Sequence, residues 1–138
     1  MTAYVDSSVL LRVVLGQPNV LPEWSRIQRG VTSSLTRVES LRTLDRLRLR
    51  VSLPDVEVAR RRSTILRLLE SLERVEVDSA VLDRASQPLP TELGTLDAIH
   101  LVTCLLWREQ QKTEIVMATH DSALGIAAQS QGFMVVGT

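Results

Sequence analysis

Ala3-Tyr4-Val5-Asp6-Ser7-Ser8 is the stretch on which the fold turns: strand-forming residues, one carboxylate, then two hydroxyls, with the apolar run Val9-Leu10-Leu11 behind them. Tyr4 and Val5 suit a buried strand, and Ser7 or Ser8 can cap the helix that follows. In an open α/β sheet, ligands bind at the carboxyl ends of the strands. Asp6 is predicted to stand at such an end. A lone carboxylate there also reads as an extra helix cap, so its meaning depends on what else the chain brings to the same edge.

Working outward, a helix is expected over residues 8–15, stopped by Gly16 and Pro18. Pro22 opens another short one through Glu23, Trp24 and Ile27, ending near Gly30, before a brief strand at Val31 and Thr32. Ser34 or Thr36 can cap the next helix, whose apolar stripe is Leu35, Val38, Leu41, Leu44 and Leu47. Thr36 and Glu39 have the spacing of a capping box. Pro54 breaks that helix and Asp55 starts its hairpin partner, with Val56, Ala59, Ser63, Leu66 and Leu69 inward and Arg60, Arg61 and Arg67 outward. A short strand over 75–77 leads to a helix capped by Asp78, with Val81, Leu82 and Ala85, and the Pro88-Leu89-Pro90 loop follows. Thr95 is the expected cap of a helix to 111, with Leu96, Ile99, Val102, Thr103 and Leu106 toward the core. A strand over 115–118, a helix over 122–131 stopped by Gly132, and a strand over 133–136 complete the pattern. Strands alternating with helices predict an α/β fold: a three-layer α/β/α sandwich around a mainly parallel sheet of about five short strands.

At 138 residues the whole chain, 1–138, is expected to be one domain with a substantial core. A hydrophobic share of 44% with 23% charged is globular composition, and 3% aromatics argues against base-stacking platforms. The net charge of zero exerts no global pull toward nucleic acid or membrane. Arginines nevertheless crowd the middle, from Arg37, Arg42 and Arg46 to Arg60, Arg61, Arg62 and Arg67, while Lys112 is the one lysine. Their planar forks suit phosphate or carboxylate, and a solvated helix face beside Glu57, Glu70 and Glu73 explains them as well. Cys104 is alone, which rules out an intrachain disulfide and a cysteine-based zinc site. Asp6 comes too early for a signal peptide, and no apolar run could span a bilayer, so a cytoplasmic protein without a membrane partner is expected.

Asp6 and Asp121 each follow a strand directly; Glu39 and Asp97 are expected in first helical turns, and helices that follow parallel strands start on that same side. One cluster of four acids is the prediction. Two like charges about 4 Å apart repel by about 1 kcal/mol in water and about 4 at an effective dielectric of 20. Four acids make six pairs, so a half-buried cluster needs cations or protons. All-oxygen ligation points to Mg²⁺ or Mn²⁺. Rival chemistries fit less well. A phosphatase-type Asp6 nucleophile lacks a second aspartate at Ser8, a receiver-type site lacks a lysine after a late strand, and no Gly-rich turn supports a dinucleotide fold.

Four segments carry a family resemblance: Tyr4-Val5-Asp6-Ser7-Ser8, Leu35-Thr36-Arg37-Val38-Glu39, Leu96-Asp97-Ala98-Ile99-His100-Leu101, and Thr119-His120-Asp121 followed by Ala123. In order and spacing the chain resembles the PIN-domain ribonucleases, most closely the VapC-type toxins of bacterial toxin–antitoxin pairs. The resemblance implies a metal-dependent endoribonuclease leaving 5′-phosphate and 3′-hydroxyl ends. It places Asp6, Glu39, Asp97 and Asp121 on the family's metal-binding acids and Thr119, or Ser7, on its supporting hydroxyl. It further implies an RNA substrate, a cognate antitoxin whose C-terminal segment obstructs the acids, and a homodimer. A non-catalytic PIN scaffold that binds RNA or protein is the alternative. Val102-Thr103-Cys104 departs from the alanine-rich run usual after the third acid, which touches packing rather than chemistry. His100 is expected to lean inward as a hydrogen-bonded core residue and His120 to be exposed. Arg42 and Arg46 are assigned to phosphate or to pairing with Glu39.

Overall fold

The computed structural model describes Met1–Thr138. Strands β1 (Thr2–Val5), β2 (Arg29–Ser33), β3 (Glu73–Val75), β4 (Val116–Ala118) and β5 (Val135–Val136) form one sheet in the order β3-β2-β1-β4-β5. Every pairing is parallel. β1 is therefore central, with Tyr4 opposite Val31 on one side and Met117 on the other.

Pleating sends successive side chains of β1 to opposite faces. Ala3 and Val5 pack with α1 (Ser7–Val14), α2 (Leu35–Val51) and α3 (Asp55–Glu70) through Val9, Leu10, Leu44, Ile65 and Leu69. Tyr4 points the other way, into a core with α5 (Thr95–Gln111) and α6 (Ser122–Ser130) that includes Leu101, Leu105, Leu124 and Ala128. Short α4 (Ser79–Ala85) lies against α5. The predicted three-layer sandwich is the observed one. None of its helices is long and apolar enough to cross a membrane.

Several local expectations are corrected. The third strand falls two residues early, at Glu73–Val75, because these residues pair with Val31–Ser33 and the Ser34 hydroxyl then takes the Val77 N–H at 3.2 Å. On α3 the bulk of Ile65, Leu68 and Leu69, with Leu72 just beyond its end, sets the buried face. Val56 is consequently exposed, with Ala59 and Ser63, and Arg61 is drawn partly inward, where it holds Glu57 at 2.9 Å. α2 buries Thr36, Ser40 and Leu44 and leaves Val38 exposed, so its stripe is narrower and more polar than leucine spacing suggested. The segment after Pro22 is a single 3-10 turn, Trp24–Arg26.

Helix starts also differ. Asp6 occupies the cap position of α1 in place of Ser7 or Ser8, yet its carboxylate caps nothing. Gly94, not Thr95, precedes α5. α5 is buried nearly all round, from Ala98 and His100 to Cys104 and Trp107, because layers press on it from the sheet, α4 and α6, while Leu96 at its start remains exposed.

Candidate metal centre

Asp6 leaves β1 at the carboxyl edge and is almost fully buried, at 4% exposure. Its Oδ2 accepts from the Ser8 hydroxyl at 2.7 Å and the Thr119 hydroxyl at 2.9 Å, and its Oδ1 from Ser7 at a long 3.5 Å. With Oδ2 saturated by two hydroxyls, Oδ1 is the freer atom. Both hydroxyls are themselves anchored: Ser8 accepts from the His120 N–H and Thr119 from the Asp121 N–H, each at 3.0 Å. Gly137 presses on Thr119 so closely that a Cβ would lie 2.5 Å from its carbonyl oxygen, and φ there is +101°. Only glycine fits that approach. The residue just after β5 thus packs on the backbone of the threonine whose hydroxyl orients Asp6.

Glu39 projects from the second turn of α2. A capping box would turn its side chain back on the helix start; instead Glu39 Oε1 accepts from His100 Nε2 at 2.5 Å. Thr36 is also absent from the cap, its hydroxyl bonded to that of Thr32 at 2.8 Å, and Thr32 donates to the Val5 carbonyl at 2.7 Å. These bonds fix the start of α2 against the end of β1. Asp6, Glu39 and His100 form a tight trio whose donor atoms all lie within 4.8 Å of one another.

Asp97 and Asp121 stand outside that trio but belong to the same field. Burial, and then the charges of Asp121, Asp6 and Glu39, push the Asp97 carboxyl up to about 6, with His100 pulling the other way. Asp121 is the N-cap of α6, where one oxygen accepts from the Leu124 N–H at 2.9 Å, leaving the other free. All four predicted acids are therefore brought to one edge of the sheet. Neither lysine nor arginine pairs with any of them; His100 lies within pairing distance of two, at 3.6 Å from Asp6 and closer to Glu39.

His100 is fully buried as expected, with Nδ1 2.7 Å from the Tyr4 hydroxyl. Burial would lower its proton affinity, but the bond to Glu39 and the charges of Asp6, Glu39 and Asp97 outweigh that and raise it. Burial, foremost, raises Tyr4 well above the ordinary phenol range, so its hydroxyl keeps its proton. His120 is half-exposed and bonds the Gly137 carbonyl through Nδ1 at 2.9 Å.

The donor set suits a hard divalent cation: carboxylate oxygens with one imidazole beside them and no thiolate. Cys104 faces the core from α5 itself, its thiol pushed up by burial. The charge of a half-buried Asp97 beside three other acids, only partly offset by His100, is what a bound cation would relieve. Arg42 and Arg46 do not pair with Glu39. Arg42 binds Asp45 and Arg46 the Thr43 hydroxyl, each at 3.1 Å, although both line a groove with Glu39, Ser7, Leu35, Val38 and Leu96. Ser8 and Tyr4 went unassigned in the sequence. Ser8 had a signal, its place two residues after the acid at a strand–helix junction; Tyr4 had none, since strand propensity already accounted for it.

Fold and site together define an α/β domain with a cation-seeking acidic centre on its carboxyl edge. The PIN domain family model matches residues 3–128. Ribonuclease VapC46 of Mycobacterium tuberculosis is 33% identical over 139 residues, covering 96% of this chain and 95% of that protein. The chain belongs to the PIN domain family. In fold it is also similar to a chain of a toxin–antitoxin complex from Klebsiella pneumoniae, with a TM-score of 0.64 over 87% of each chain at 15% identity.

Proposed function

We propose that this protein is a metal-dependent endoribonuclease and the toxin of a toxin–antitoxin pair, one nuclease domain over residues 1–138. The observation that carries the reading is Asp97, whose carboxyl is raised to about 6 by burial and then by the charges of Asp121, Asp6 and Glu39, against a weaker pull from His100. Membership of the PIN family and the ribonuclease relative supply the reaction class and RNA as substrate. The toxin–antitoxin complex of like fold supports an antitoxin partner; a homodimer is carried by the resemblance alone.

Asp6, Glu39, Asp97 and Asp121 would hold the cation, Mg²⁺ or Mn²⁺. When bound, such an ion supplies a water of lowered pKa and stabilises the charge on the leaving oxygen of a phosphodiester. The chain's own part is orientation. Ser8 and Thr119 aim Asp6 so that Oδ1 faces the trio. His100 presents an N–H to Glu39 and so leaves Oε2 as the oxygen free to ligate or to hold a water. Asp97 must release the proton it binds below about 6 before it can ligate. The groove with Arg42 and Arg46 offers cationic forks beside the acids for substrate phosphates.

The test is cleavage of a structured RNA panel with Mg²⁺ or Mn²⁺, with and without chelator, by wild type and Asp97→Ala. Metal-dependent internal cuts are expected, with the variant down on the order of 100-fold, about 2.7 kcal/mol of barrier. Activity that survives both chelator and the substitution refutes the metal mechanism. No cleavage of any RNA favours the scaffold alternative.

A further inference from the structure

Tyr4 has no place in the function proposed above, and its hydroxyl is nevertheless the best-placed polar atom of the core. It is fully buried on β1, the central strand, among apolar side chains. Its partner, 2.7 Å away, is Nδ1 of a histidine that is equally buried and comes from another layer. The rings meet edge to face, centroids 5.9 Å apart at 71°. The second nitrogen of that ring reaches out of the core to Glu39. A carboxylate can only accept, so Nε2 carries the proton and both ring nitrogens are spoken for.

We infer that Tyr4 and His100 form a buried positioning relay that fixes the carboxylate of Glu39 toward Asp6, and that His100 is not itself a metal ligand. The inference rests on the metal-centre reading for its consequence but not for its geometry. Tyr4 sits on the most constrained strand and so holds the ring plane; the ring holds Oε1 and leaves Oε2 for the centre. A histidine serving as ligand through Nε2 would have to surrender the Glu39 bond. Buried hydroxyl and imidazole groups without such a task would be cheaper as phenylalanine and leucine, because each desolvated polar atom must be matched.

The experiment uses the full chain. Side-chain carboxyl carbons of glutamate are observed by NMR in the metal-free protein, with Glu39 assigned through Glu39→Gln, and Mn²⁺ affinity is measured by calorimetry. Tyr4→Phe keeps the packing and removes one hydroxyl. It should move the Glu39 carboxyl resonance, weaken Mn²⁺ binding roughly 10-fold, within the range for groups behind metal ligands, and lower kcat more than it raises KM. His100→Leu should show the full loss, and His100→Gln, which restores an N–H near the Nε2 position, should recover part of it. An unmoved Glu39 resonance in Tyr4→Phe overturns the relay, as does a His100→Gln no better than His100→Leu. Direct imidazole nitrogen coupling in the electron spin echo spectrum of the Mn²⁺ form that persists in His120→Ala would make His100 a ligand and likewise overturn it. If the resonance moves as expected while the wild type neither binds Mn²⁺ nor cuts RNA, the relay stands and the nuclease reading falls.

Discussion

Glu73 and Asp97 are carboxylates at opposite ends of one sheet, displaced in opposite directions. Glu73 begins β3 at the amino edge. Trp107 Nε1 donates to it at 3.0 Å and Arg29 at 2.8 Å, and these bonds, the indole first, hold its carboxyl below the usual range despite some burial. Arg29 in turn lies over the Trp107 ring, 4.9 Å from its centroid. At the carboxyl edge Asp97 is raised to about 6, by burial first and then by acids standing where Glu73 has donors. One edge has been arranged to be stable by itself. The other gathers four acids with no lysine or arginine paired to them, and functional sites are where such perturbation concentrates.

Neutralising Asp97 tests the contrast most severely. The folded protein holds its proton up to about 6, against an ordinary value of 3.8, so stability of the metal-free protein falls as pH climbs through that window. The full displacement would amount to about 3 kcal/mol in a dry site, and half-exposure screens it to about 1 kcal/mol. Asp97→Asn should therefore raise the metal-free Tm by about 3 °C at pH 7.5 and leave it unchanged at pH 4. Added Mg²⁺ should reverse the order, because only the wild type gains by binding. Melting curves at both pH values, with and without metal, check it; an Asn variant less stable than wild type at pH 7.5 without metal breaks the comparison.

Arg46→Ala moves to the rim. Arg42 and Arg46 make single bonds to neighbours on their own helix, whereas Glu57 draws Arg60 and Arg61 together on α3 and Asp45 takes a bidentate Arg48. The α2 pair near the acids is thus the more available. In an Asp97→Asn background, where cleavage is expected to be slow enough for binding to be read, Arg46→Ala should weaken RNA binding a few-fold and reduce the salt slope by about 0.7 for one phosphate contact to single-stranded RNA. Unchanged binding would return Arg46 to the solvated face.

The difference between the two edges was unequally visible in the sequence. Carboxylates at strand exits and early helix turns announce themselves, because chain direction alone sends them to one side of a parallel sheet; Asp6, Glu39, Asp97 and Asp121 could be placed together for that reason. What joins them could not. The 2.5 Å contact of His100 with Glu39 spans 61 positions and depends on how α5 is rotated, which Leu96 and Leu106 misreported. The Thr36–Glu39 spacing was a local motif overruled by a distant partner. Likewise Glu73, read as a solvated neighbour of arginines, takes its place from a strand register two residues away from the one alternation suggested.

Glu73→Gln gives the smallest effect and the cleanest sign. A carboxylate lowered in the folded state contributes stability above its unfolded value, near 4.5, and that contribution is lost as pH falls through the folded one. The Arg29–Glu73 pair is open to solvent, so the loss on substitution should be about 0.5 kcal/mol at pH 7 and vanish once the pH has fallen below the lowered folded value. This dependence is opposite to that of Asp97→Asn, which stabilises at pH 7.5 and does nothing at pH 4. Two Asp/Glu-to-amide changes on one sheet, of like chemistry and contrary sign, separate an edge built for packing from an edge built for a cation. Should both variants destabilise alike, the acids at the carboxyl edge would be compensated within the protein, and the centre would need no ion to complete it.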